Sequence, residues 1–408
     1  MRRSNPRESA IEDSLYIPLD VPARPRSELA ASGSRTRSLV LRRLFLGVVL
    51  LVVLPYFFSP VYTFPPPQPF AGPAIWNPYA GVDSTWLLAN LHAHGAAWGG
   101  ITNGRQSDDA VVEAYRTRGY DVAEISDYQR IAALDGVPTI PAYEHGYNVS
   151  KIHQLAIGAR AVDWLDFPLF QWTSQKQFVI DRVKARADLV ALVHPSARLA
   201  YSEDDLHQLT GYDLFEVING RFPAEDLWDA ALSSGHFVGA IGDDDTHDIT
   251  DPHRMAVAWT MIDADAVDAA AVVSALRRGR SYAVSATSGT STRNDAVVSG
   301  VQVRDGRLTV SIEGPPATFS FIRQDGQVRK TVEKTTTASY DIAPDDAYVR
   351  TEIRTPKILM YLNPVVRYDG AHLPDPVARV DTFATWALRL MLALGCAAAV
   401  ALLGRRDR

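Results

Sequence analysis

The 408-residue chain carries 41 Lys and Arg against 47 Asp and Glu, a net charge of −6, with 47 % hydrophobic residues and one cysteine. Nine arginines against five acids in residues 1–43 leave the remainder at about −10, which excludes the basic surface that nucleic-acid binding needs. Cys396 stands alone, so an intrachain disulfide and a cysteine metal site are excluded as well.

Residues 1–43 are polar, rich in Arg, Ser and Pro, and without periodicity, which predicts a disordered tail. Residues 44–64 form an uncharged apolar run of bilayer length, preceded by Arg42 and Arg43 and followed by aromatic residues. Residues 65–83 open on Pro65-Pro66-Pro67 and predict a stiff, extended linker. From 84 to 284, strand and helix signals alternate. Trp86–His94, Asp121–Ser126, Leu189–His194, Asp213–Ile218 and Phe237–Ile241 read as strands. Helices are expected from the Ser107 cap to Arg118, then over Gln175–Arg186, Ala224–Ser233 and Asp265–Arg278, with Gly119 and Gly279 as stops. That order means an α/β domain with a parallel sheet or a barrel. Residues 285–375 change to short alternating strands around Asp305-Gly306 and Asp325-Gly326, which predicts a small antiparallel β-sandwich. A second apolar run spans 383–403 and ends in Gly-Arg-Arg-Asp-Arg. Arginines outside both spans place both termini in the cytoplasm and the central domain in the periplasm or cell exterior.

The chemistry sits at the ends of the predicted strands. A strand alternates its faces, so His92 and His94 point the same way and can grip one ion together. Glu144, His153, Val193-His194-Pro195 and Asp243-Asp244-Asp245-Thr246-His247 follow in order. Five of the ten histidines fall in these short segments. Imidazole and carboxylate donors suit zinc, manganese or iron. In α/β folds reactive groups gather at the carboxyl ends of strands, where His94, Asp127, His194, Asn219 and Asp245 fall. Asp127 has three readings: it orients a ligand His, accepts a proton from water, or caps a turn. Tyr128 either donates to a developing oxyanion or only fills space. Asn148, Lys151 and Arg221 either hold a phosphate or face solvent. Asp243 and Asp244 either support the ligands from behind or, as acidic runs usually do, form a solvated loop.

The order Asn90-Leu-His92-Ala-His94, Glu124-Ile-Ser-Asp127-Tyr128, Ile140-Pro-Ala-Tyr-Glu144, His153-Gln-Leu155, Val193-His194-Pro195, Phe215-Glu216-Val-Ile-Asn219 and Asp245-Thr-His247 resembles the polymerase-and-histidinol-phosphatase (PHP) superfamily of metal-dependent phosphoesterases. The resemblance covers about 86–284 and implies a distorted (β/α)7-type barrel with a cluster of up to three ions. It implies His92, His94, Glu144 and Asp245 as ligands of a first ion. Glu144 would bridge to a second ion held also by His153 and His194. Of the third ion's ligands only His247 is present, because Gly99 and Tyr128 stand at the other two places.

Together these features predict a membrane-anchored hydrolase with two divalent ions (Zn, Mn or Fe), acting on a small phosphorylated substrate beside the lipid bilayer. Two other readings fit the same residues. One is an amide or other ester hydrolase on the same scaffold. The other is a non-catalytic ligand-binding sensor with a degraded site.

Overall fold

The computed structural model describes residues 26–82, 85–134, 140–220, 222–287 and 295–405. The chain divides into two compact units, Met1–Leu51 and Val52–Arg408. The described part of the first is helical: the helix Arg26–Phe58 begins inside the segment expected to be disordered, where Ala, Leu and Arg favour helix. It stops before Pro60, so the expected span 44–64 is helical only to Phe58. Val40–Phe58 and Thr382–Ala401 are long and apolar enough to cross a membrane.

In the second unit, Ala142–His145, His153–Ile157 and Leu189–Val193 pair antiparallel, and Leu214–Ile218 and Gly239–Gly242 continue the sheet in parallel. Leu87–Asn90 pairs in parallel with Val122–Ala123. Two isolated parallel bridges, Ala93 to Thr246 and Tyr128 to Glu144, join the ends of these two groups. The pairings of seven strand segments thus run in a closed circuit. His153–Ile157 runs against its neighbours, so its first residue, His153, lies level with Val193 at their carboxyl ends. Apolar residues line the segments almost without a break, as in strands buried on both faces.

Helices cover this circuit at the four places the sequence marks, with ends that differ by up to four residues. Ser107 caps Asp108–Arg116 by accepting from Ala110 N at 3.3 Å, and the helix buries Val111, Val112 and Tyr115. Gly119 beyond it takes φ +84°, a conformation that favours glycine. The helix expected from Asp265 starts at Ala269, because Asp268 makes the cap instead.

The sequence strand signals missed Ala258–Ile262. This strand pairs with Leu87–Asn90 on one side and Ser281–Ala286 on the other. Ser281–Ala286 pairs in turn with Ile358–Tyr368. The boundary drawn at 284/285 therefore falls inside a strand, and the β-rich segment extends the sheet that carries Leu87–Asn90. Over it lies a three-stranded sheet of Val297–Arg304, Arg307–Glu313 and Thr337–Asp341. Val298, Val310 and Ile312 share one core with Phe319, Ile353 and Met360, giving two packed layers. The proline-rich stretch is not a free spacer. Phe70 and Tyr79 are buried, Gln68 N donates to Ser234 O at 2.8 Å, and Ala74–Trp76 adds a strand to Ile358–Tyr368.

One buried ion pair ties the β-rich part to the helical layer. Arg350 donates from Nε and Nη2 to Asp229 at 2.7 and 2.6 Å, and Tyr348 Oη donates to the same carboxylate at 2.7 Å. Asp229→Ala leaves a buried guanidinium short of its partner, so unfolding stability should fall by about 3–5 kcal/mol. Differential scanning calorimetry should still show one transition for residues 52–408; a separate early melt of the β-rich part would contradict the shared sheet.

Candidate metal centre

Backbone pairing sets the first group of side chains. Asp245 N donates to His92 O at 3.0 Å and His94 N donates to Thr246 O at 2.9 Å. This ladder places His92 and His94, two residues apart on one face, against Asp245. The Tyr128–Glu144 bridge brings Glu144 to the same mouth. The result is one buried group of His92, His94, Glu144 and Asp245, and a second of Glu144, His153 and His194.

Glu144 belongs to both. Its Oε2 lies 3.1 Å from His94 Nε2 and 3.5 Å from His92 Nε2. Its Oε1 lies 2.9 Å from His194 Nε2 and in contact with His153 Nδ1. Asp245 Oδ1 faces His92 Nε2 at 3.4 Å, His94 Nε2 at 3.1 Å and His247 Nε2 at 3.3 Å. Among the described residues, several buried donor atoms here have no hydrogen-bond partner, including His92 Nε2, both nitrogens of His94, Glu144 Oε2 and Asp245 Oδ1. Buried polar atoms are normally satisfied. A cluster of orphaned imidazole nitrogens and carboxylate oxygens, without sulfur, fits divalent cations of the zinc, manganese and iron kind.

The surroundings hold these ligands in place. Glu216 is fully buried; its Oε1 is 3.0 Å from His92 Nδ1, and its Oε2 accepts from His194 N. It fixes the ring whose other nitrogen faces the cluster. The sequence reading gave Glu216 no role, although one charged residue inside the apolar strand Leu214–Ile218 requires a partner. Asp243 and Asp244 are not solvated. Asp243 Oδ1 accepts from Leu91 N at 2.6 Å, and Asp244 accepts from Tyr115 Oη and from the amides of Ala256, Val257 and Ala258. These acids pin the two strand ends that present the ligands. Gly146, also passed over, takes φ +135°, and a Cβ there would lie 2.3 Å from His153 Cδ2.

Asp127 accepts from Gly95 N at 2.9 Å, is salt-bridged to Arg130, and lies 4.0 Å from His94 Nδ1. Tyr128 stacks on His94 with centroids 4.7 Å apart, and Lys151 Nζ donates to its hydroxyl at 3.3 Å. His247 stacks on the other residues of this column, 4.3 Å from His94. At Gly99 no side chain reaches the cluster, and an added Cβ would meet nothing within 4 Å. Asn148 lines the cleft, but its amide donates to Ile152 O and Asp166 and its carbonyl accepts from Ile152 N. Arg221 lies outside the described residues.

Among the described residues, five of the eleven non-glycine residues with positive φ belong to the two clustered groups or line the adjoining cleft: Trp98, Gln129, Lys151, His194 and Asp245. Strained backbone of this kind persists where surrounding structure enforces it and clusters at functional sites.

No family model matches the chain, and no curated protein matches it. Among solved structures it is similar to a two-domain protein containing a predicted PHP-like metal-dependent phosphoesterase from Bacteroides vulgatus. Identity is 14 % and the TM-score 0.40, over 77 % of this chain and 98 % of that chain. A likeness that distant leaves the side-chain geometry to carry the functional reading.

Electrostatics in the cluster follow from burial opposed by close opposite charge. Burial alone would raise the Glu144 and Asp245 carboxyls, but the histidines around them hold both well below the usual range. Burial would lower His92, yet Asp245, Glu216 and Glu144 hold it well above its ordinary value; His94 and His194 are also held up. Burial wins at His153 and His247, which are lowered.

A raised pKa means these rings hold a proton more tightly, and that proton must leave before the nitrogen can coordinate a cation. Binding of Mn or Zn should therefore release protons at neutral pH and weaken as pH falls. Titration calorimetry in buffers of different ionisation enthalpy measures this; proton uptake would contradict the ligand set. Glu216→Gln should weaken the cation by about 10- to 100-fold while the protein stays folded.

Proposed function

We propose that this protein is a membrane-anchored metal-dependent phosphoesterase with a binuclear centre. The observation that carries the reading is Glu144: its two oxygens face two different histidine sets, an arrangement suited to a bridging carboxylate. The closed circuit of seven segments, with ligands at one end, fits a distorted seven-stranded barrel.

His92, His94, Asp245 and Glu144 would hold one cation; Glu144, His153 and His194 would hold the other. Bound divalent cations supply Lewis acidity, lowering the pKa of water and offsetting negative charge on phosphoryl oxygens. The chain's own residues do the rest. Lys151 offers positive charge in the cleft beside the cluster. Tyr128 remains a phenol, because burial and the Glu144 and Asp245 carboxylates push its pKa up, and so can donate to an anion. Asp127, tied by Arg130 and Gly95 N, positions the His94 loop. Glu216 orients His92 and the His194 backbone.

The two apolar helices are read as membrane spans with their arginines in the cytoplasm, which puts the metal domain on the far side. An alkaline phosphatase fused after residue 290 should then be active; inactivity with a fluorescent cytoplasmic reporter at the same point would reverse the topology.

His194→Ala removes a ligand of the second cation. Hydrolysis of an aryl phosphate by the Mn-loaded protein should fall by about 100-fold or more. Wild-type turnover in that variant would remove His194 from the reaction.

A further inference from the structure

The cleft that opens on Tyr128 and His153 has a volume of about 560 Å³ and is walled by Trp98, Ile101, Tyr147 and Trp164. Lys151 is the one lysine or arginine among the described residues that line it. A nucleotide or sugar phosphate would need polar partners along these walls. Thr102, Asn103 and Gln129 supply neutral polar groups, but most of the wall surface is apolar and aromatic, and much of it faces solvent: Ile101 is 90 % exposed and Trp164 59 %. Isolated exposed apolar residues need no explanation, but a contiguous group around a cleft does.

The group is contiguous. Trp98 and Trp164 meet edge to face at 5.7 Å, and Trp98 Nε1 donates to Tyr128 O at 2.8 Å. Tyr147 Oη donates to Trp164 O at 3.0 Å. Val149 N donates to Pro168 O, and Arg198 donates to Val149 O at 3.1 Å. Next to Arg198, Leu199 is 89 % exposed with φ +56°, so a strained loop holds an apolar side chain out into solvent.

The same rim runs directly to the apolar helices. Phe170, two residues beyond Pro168, packs on Tyr56 at 5.1 Å, and Tyr56 Oη donates to Phe170 O at 2.7 Å. Tyr56 lies in the last turn of Val40–Phe58. Phe170 also meets Trp172, which is 63 % exposed. The start of the second apolar helix is tied to this place too. Val61–Thr63 pairs with Arg379–Asp381, and Val61 N donates to Thr385 Oγ1 at 2.9 Å. Exposed Trp and Phe at the end of a span are the residues that settle at a membrane interface. The exposed rim of the cleft is thus continuous with an interfacial aromatic belt.

We propose that the substrate is a phosphomonoester of a membrane lipid, which reaches the centre from the bilayer with its chains against this rim. The inference rests on the phosphoesterase reading and on the two helices being spans. In the reaction, water oxygen bonds to phosphorus as the P–O bond to the lipid alcohol breaks. The water proton ends on the departing lipid oxygen, giving inorganic phosphate and a neutral lipid alcohol. The cleft accepts the phosphate beside Lys151, and its aromatic walls hold the apolar part next to the ester.

The test uses the full chain, Mn-loaded, in phosphatidylcholine nanodiscs. Three esters are compared at equal phosphate: dioleoyl phosphatidic acid in the same disc, glycerol 3-phosphate in solution, and p-nitrophenyl phosphate. The lipid should be hydrolysed at least about tenfold faster than glycerol 3-phosphate, the equivalent of burying only two methylenes. Leu199→Ser and Trp172→Ser, both outside the cleft, should lower the lipid rate severalfold and leave the aryl phosphate rate unchanged. Independently of turnover, brominated lipid chains should quench tryptophan fluorescence less in Trp172→Phe than in wild type, with Trp228→Phe as the buried control. Aryl phosphate hydrolysis with no lipid preference and no change in quenching overturns the lipid assignment alone. No turnover of any ester by metal-loaded protein overturns the phosphoesterase reading, and this one with it.

Discussion

A single buried carboxylate organises this protein. Glu144 is fully enclosed, yet both of its oxygens face histidine nitrogens, drawn from three separate strand ends. An isolated carboxylate in such a place would be neutral or would not be there. It stays ionised because positive charge is gathered round it, and the chain must bring distant segments together to do so. The closed circuit of pairings, the left-handed backbone at His194 and Asp245, and the buried acids Glu216, Asp243 and Asp244 all serve that convergence. The buried acids are satisfied by hydrogen bonds, whereas the unpartnered atoms of the cluster cost stability that a bound cation would restore.

The clustered residues were legible because each sits at or beside one end of a short apolar run, and periodicity marks such runs well. Asp108–Arg116 was legible for a similar reason: its cap, its buried face and its terminal glycine are all local. What the sequence hid is non-local. Glu216 looks like any charge in a strand until its partner, His92, is placed 124 residues away. Asp243 and Asp244 read as a solvated run because three acids in a row usually are. Only the fold shows that each accepts hydrogen bonds from a different backbone segment. The linker failed for the same reason. A proline run predicts extension, but it does not predict that Phe70 and Tyr79 are buried. The β-rich segment was read as separate because its pattern changes near residue 285. Yet hydrogen bonds between Ser281–Ala286 and Ile358–Tyr368 cross that point.

Tyr128 gives the site its particular character. Its ring lies in a column with His94 and His247. The phenol touches Lys151 and opens on the aromatic cleft. The centre therefore couples two ligand groups on one side to an apolar, singly charged cleft on the other.

The central claim is that Glu144 bridges two cations. Anomalous diffraction from crystals of the full chain grown with manganese tests it most directly. The account predicts two anomalous peaks, one among His92, His94 and Asp245 and one between His153 and His194, each in contact with a different oxygen of Glu144. A single peak, or peaks away from Glu144, would contradict it.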